Sequence, residues 1–216
     1  MTKLTRPPRA RAVRIACFMA IAAFLNHSPV HANPTACSGP RGECETPSGG
    51  SYAIELPVGY DVSQPIPALL YFHGAGGTGS GSMKNTGMVN AFLKRGYAVI
   101  APSGLKRPNS RFGPGWSFLP FRKKQRDERA FAHEVLQDAV KRFNVDRQSV
   151  LMSGFSIGGS LVWYLACEDP KLAKAYAPVA GAFWRPHPQT SDCKTPVQMF
   201  HTHGWRDRTV PLEGRP

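Results

Sequence analysis

The chain has 216 residues, a formal net charge of +13 and 42% hydrophobic residues. That length suits one domain, and the apolar share excludes a disordered chain. The charge would admit nucleic acid as a partner, but no basic element interleaved with aromatics and no nucleic-acid module is present, so none is expected.

Five of the positive charges, Lys3, Arg6, Arg9, Arg11 and Arg14, precede an apolar stretch from Ile15 to Leu25 and then Val30-His31-Ala32. A positive start, a short apolar run and a small-residue cleavage site make a secretory signal. We assign it to residues 1–32, with cleavage before Asn33, and place the folded domain at 33–216. The run is too short to span a bilayer, so stable membrane insertion is not expected. Removing those five cations leaves +8 on the mature chain. Its densest basic run, Arg122-Lys123-Lys124-Gln125-Arg126, reads as a solvated surface; the sharper alternative is attraction to an anionic polymer or cell surface.

Cys37, Cys44, Cys167 and Cys193 remain after cleavage. An even number in an exported chain points to disulfides, and three connectivities are open. The expected pairs are Cys37–Cys44, stapling the loop from Pro34 to Gly49, and Cys167–Cys193. A buried free thiol at Cys167 is the plainer alternative.

Next, Ser51 to Leu56 alternates like a half-buried strand. Ala68-Leu69-Leu70-Tyr71-Phe72 is a continuous apolar run, as a strand covered on both faces should be. Asn85 to Arg95 holds a helix, and Tyr97 to Ala101 a second buried strand. The Gly- and Pro-rich stretch from Gly104 to Phe121 is long for a structureless loop in a compact domain, so a functional role is expected there. Asp127 to Phe143 is the clearest helix, with Phe131, Val135, Leu136, Ala139, Val140 and Phe143 on one face. Asp127 and Glu128 suit its positive end, Lys141 and Arg142 its negative end. A strand at Val150-Leu151-Met152 follows. Ala175 to Ala180 is a further strand candidate that Pro178 weakens, and Val197 to His201 another. Strands alternating with helices imply an α/β fold with a mostly parallel sheet and helices on both faces.

The chemistry centres on Gly154-Phe155-Ser156-Ile157-Gly158, between a strand and the helical stretch from Ser160 to Ala166. Strand, G-x-S-x-G, helix is the context of a nucleophile elbow. A serine hydroxyl attacks a carbonyl only when it is exposed, aimed and served by a base. Ser156 is therefore the nucleophile candidate, and the Ile157 amide at the helix start one donor of an oxyanion hole. His73-Gly74-Ala75-Gly76-Gly77, after the Ala68–Phe72 strand, supplies the other from Ala75 or a neighbouring glycine. His73 reads as a structural hydrogen bonder. Asp207, past the last strand and after the serine, is the acid candidate. No metal or organic cofactor is expected, and the partner is an ester substrate, polymeric or small.

Taken together, Tyr71-Phe72-His73-Gly74, Asp127-Glu128-Arg129-Ala130-Phe131, Gly154 to Gly159, Ala177 to Gly181 and His203-Gly204-Trp205-Arg206-Asp207 resemble the exported α/β-hydrolases that group polyhydroxybutyrate depolymerases with feruloyl and acetyl-xylan esterases. The resemblance implies an α/β-hydrolase fold, Ser156 as nucleophile and Asp207 as triad acid. It also implies a catalytic histidine well after the acid. Only nine residues follow Asp207 and none is histidine. We therefore expect a chain shortened at its C-terminus, without the last strand and helix of the fold. His203 is the nearest substitute base, and the loops around Trp116 and Trp184 are expected to shape the acyl pocket.

Overall fold

The computed structural model describes residues 37, 43–108, 111–193 and 195–215. The expected signal at 1–32 lies outside them. A six-stranded sheet runs through the domain in the order β1-β2-β4-β3-β7-β8. Its strands are β1 Cys44–Glu45, β2 Ser51–Glu55, β3 Ile66–Phe72, β4 Ala98–Pro102, β7 Val145–Phe155 and β8 Ala175–Val179. β2 pairs antiparallel with β1 and β4, whereas β4, β3, β7 and β8 are mutually parallel. A separate hairpin joins β5 Leu105–Lys106 to β6 Pro114–Gly115.

The central strands are apolar on both faces, so both faces need cover. On one face, α3 Glu128–Phe143 and α4 Ile157–Glu168 close the main core with Phe72, Ile100, Met152 and Tyr176. On the other, α1 Gly79–Ser82 and α2 Thr86–Leu93 cover a smaller cluster around Leu69, Val89 and Val99.

Helix α3 follows its sequence signals. Asp127 caps it, accepting from the amides of Arg129 and Ala130, and Asn144 ends it at φ 47°. Phe131, Val135, Leu136, Ala139 and Phe143 are buried as expected, but Val140 is 37% exposed. The buried stripe is shifted toward Glu128 and Ala132, which carries Val140 out to solvent.

Pro178 does sit in β8. Its carbonyl accepts from Thr202, so that residue's bonding side faces the 198–202 segment and not β7. The missing amide leaves one gap in the bonds to that segment, between Phe200 N to Tyr176 O and Thr202 N to Pro178 O, and leaves the pairing with β7 untouched. The strand expected at 197–201 is reduced to two bridges, Tyr176 with Met199 and Val179 with Thr202. Phe200, on that edge, is exposed.

The stretch from Gly104 to Phe121 is less a free loop than a packed strap. It carries the hairpin and buries Trp116, Phe118 and Leu119 in the core. Disulfides join Cys37 to Cys44 and Cys167 to Cys193. Among the described residues no helix is long and apolar enough to cross a membrane.

Candidate active site

Strand β7 ends at Phe155, α4 starts at Ile157, and Ser156 makes the turn alone at φ 55°, ψ −121°. Such backbone angles cost a non-glycine residue about 1–3 kcal/mol and persist only where the surroundings impose them. Here they are imposed from both sides. The Ser156 amide donates to Val179 O at 3.0 Å, and its carbonyl accepts from Ser160 at 2.9 Å. The flanking glycines make room. A Cβ on Gly158 would collide with the carbonyl oxygens of Phe72 and His73, and one on Gly154 would lie 2.6 Å from Gly158 C. Ser156 is half-buried, and its hydroxyl has no hydrogen-bond partner among the described residues.

The loop after β3 adjoins this turn. A Cβ on Gly74 would sit 3.6 Å from Ser156 Cβ. His73 is buried and holds the loop: Nδ1 donates to Gly74 O at 2.7 Å, and Nε2 accepts from the Gly104 amide at 2.9 Å. A carbonyl can only accept, so the proton is on Nδ1. Burial pushes the imidazole pKa below its ordinary value and keeps the ring neutral. The Trp116 indole donates to His73 O at 2.8 Å. The amides of Gly76 and Gly77 are taken by Pro114 O and Gly74 O. That of exposed Ala75 has no acceptor among the described residues. The Ile157 amide, in the first turn of α4, has none either, and the helix dipole favours negative charge there.

Asp207 Oδ1 accepts from the amides of Thr209 at 2.8 Å and Val210 at 3.0 Å. These bonds hold its carboxyl below the usual carboxylate range. Its Oδ2 lies 3.6 Å from Nε2 of His203, whose side chain is 4% exposed. That nitrogen donates to Val210 O at 2.7 Å, and Nδ1 accepts from His201 Nε2 at 2.9 Å. Both ring nitrogens of His203 are therefore engaged, and no hydrogen bond joins it to Ser156. The segments still leave the same end of the sheet. Thr202 O accepts from Ala180, whose neighbour Val179 holds the Ser156 amide. Ala180 also has positive φ, 48°.

The structure thus brings the Gly74 backbone up to Ser156, with Ala75 next in the chain after Gly74 and Ile157 next after Ser156, and leaves Asp207 beside His203. Of the two tryptophans whose loops are expected to shape the acyl pocket, Trp116 is buried and Trp184 donates to Ser160 Oγ at 3.1 Å. Sequence reasoning missed the pair Arg126–Glu128. The two meet at 2.8 Å, with side chains 11% and 3% exposed. Arg126 also stacks 3.5 Å over Phe131 and donates to Ser103 O, while Glu128 accepts from the Ser117 amide. The first residue of a helix-capping acidic pair beside an arginine was the available signal.

A mostly parallel sheet with a serine on a strained strand-to-helix turn defines an α/β-hydrolase. Residues 56–215 match the Dienelactone hydrolase family, and the chain belongs to that family. It is 26% identical over 94% of its length to feruloyl esterase C of Emericella nidulans, and covers 72% of that protein. It is 26% identical over 74% of its length to a bifunctional acetylxylan esterase/xylanase of Neocallimastix patriciarum, and covers 22% of it. Among solved structures, a thermostable esterase superposes at TM-score 0.57 with 19% identity, over 79% of this chain and 47% of its own.

Proposed function

We propose that the protein is an exported serine esterase acting on carboxylic esters. One observation carries the reading: Ser156 stands on a strained strand-to-helix turn beside the Gly74 loop, and the amides of Ile157 and Ala75, the residues that follow Ser156 and Gly74, have no partner among the described residues. Acyl transfer needs a nucleophile and donors for the developing negative charge, and these two amides are the candidates for the donors. Ser156 Oγ attacks the ester carbonyl and gives up its proton to a base. The amides hold the tetrahedral oxyanion, which collapses to an acyl-enzyme and expels the alcohol. Water then releases the acid. Asp207 is the candidate acid for orienting that base, and His203, the histidine beside it, has both ring nitrogens engaged and no hydrogen bond to Ser156. The named relatives favour feruloyl or acetyl esters of polysaccharide as substrates; a hydroxybutyrate polyester is the other substrate the resemblance implies. Two disulfides fit an oxidising compartment and an export signal at 1–32.

The test is hydrolysis of p-nitrophenyl acetate and methyl ferulate. Ser156→Ala should lower kcat by about a thousandfold or more with little change in stability. Unchanged turnover in the purified variant refutes the assignment. A second reading, a binding protein that keeps the pocket without a base, is favoured by the engagement of both His203 nitrogens. It predicts no turnover by the wild-type chain, with ester analogues still bound.

A further inference from the structure

Hairpin β5–β6 and the segment after Leu119 form one surface beside the elbow. The Gln125 side chain donates to Lys106 O at 3.5 Å, and its amide to Ser117 Oγ at 3.2 Å, so the two segments are adjacent. The hairpin abuts the candidate site. Pro114 O accepts from the Gly76 amide at 2.8 Å, and a Cβ on Gly115 would lie 3.1 Å from Ile157 Cδ1. Lys106, Arg111, Arg122, Lys123 and Lys124 are all exposed here. Among the described residues no carboxylate pairs with any of them. Phe112 is 78% exposed within this cluster, and Phe121 51%. The basic run is therefore divided: Arg126 turns inward to Glu128, while its neighbours face solvent. The next cleft is of mixed charge, with Lys124 and Arg129 beside Asp127, Glu168 and Asp192.

We propose, on the esterase reading above, that this surface holds a uronate-bearing polysaccharide and presents its esters to Ser156. Unpaired cations attract a polyanion and raise its local concentration. Exposed phenyl rings give the apolar faces of pyranose rings a flat contact. Continuity with the candidate site selects among polyanions. A polymer guided to Ser156 must carry carboxylic esters, which acidic polysaccharides do and nucleic acids do not.

Binding is measured on the Ser156→Ala protein, so the outcome does not depend on turnover and stays separate from the esterase test. The probes are polygalacturonate, neutral xylan, duplex DNA and phosphatidylserine vesicles. Polygalacturonate should bind at least about tenfold more tightly than any of the others at 50 mM salt, and lose that advantage at 0.5 M as screening shortens. Combining Arg122→Ser, Lys123→Ser and Lys124→Ser should weaken this binding about tenfold. Should that variant unfold, Lys106→Ser with Arg111→Ser, on the hairpin, should weaken it about fivefold. Equal binding of neutral xylan, tighter binding of DNA or vesicles, or full affinity in a folded charge variant overturns the proposal.

Discussion

Substituting alanine for Gly158 puts the elbow's packing to a direct test. The new Cβ would overlap Phe72 O and lie 2.6 Å from His73 O. Neither oxygen can yield cheaply. Phe72 ends β3, which is paired on both edges with β4 and β7, and His73 O is held by the Trp116 indole. An ordinary carbon–oxygen contact is about 3.3 Å or more, so α4 must retreat by about 1 Å, an overpacking that costs about 1–3 kcal/mol. Because the nearer overlap is about 1.2 Å against fixed backbone, the cost falls in the upper part of that range, and alanine's better helix propensity offsets up to about 1 kcal/mol of it, leaving a loss of about 1–2 kcal/mol. For a domain of this size that lowers Tm by about 2–8 °C. The retreat carries the Ile157 amide with it, and a misplacement of about 1 Å can cost about a hundredfold in kcat. The assay is thermal unfolding followed by circular dichroism, with ester turnover alongside. Gly87→Ala in α2 is the control. Its nearest neighbour is Asn85 Oδ1 at 3.7 Å, so it should hold or raise stability. If Gly158→Ala unfolds and turns over like the wild type, the elbow is not packed as described.

Glu128→Ala leaves the Arg126 guanidinium buried without its carboxylate and should cost about 3–5 kcal/mol in urea unfolding; a loss under about 1 kcal/mol would show the pair to be solvated. Because burial holds the His73 pKa down, below about pH 6.5 the unfolded chain takes up a proton that the folded chain does not. Stability should therefore fall as pH drops through that range, and His73→Asn should remove this dependence; an unchanged pH profile contradicts it. Glu43 adds a lower window. Burial raises its pKa, but hydrogen bonds from Ser51, Ser80 and Ser103 outweigh it and hold it below 4.5, so its stabilisation is present above that pH and lost below, as Glu43→Gln should reveal. Cys167→Ser with Cys193→Ser opens a 26-residue loop and should cost about 3.5 kcal/mol in the chain-entropy model, read by urea unfolding under oxidising conditions.

What could be read from the sequence was local or periodic. Gly154, Ser156 and Gly158 lie within five residues, and a sharp turn demands those types at that spacing whatever surrounds it. The α3 helix carries its own cap at Asp127 and its own apolar stripe, and the runs at β3 and β4 are apolar because both faces are covered. Those signals belong to single segments, so no fold is needed to see them. Contacts between distant segments had no such mark. Arg126 looks like its exposed neighbours Lys123 and Lys124, and only the meeting of β4, the hairpin strap and α3 buries it. Nothing near Trp116 in the sequence shows that its indole will donate to His73 O, 43 residues away in the chain. His203 reads as a spare base until His201 and Val210 occupy both its nitrogens. Pro178 reads as a strand breaker until its bonding side is seen to face residues 198–202, away from β7. A side chain's partners are set by which strands lie next to each other, and that is decided by the packing of the whole domain, not by the residues on either side.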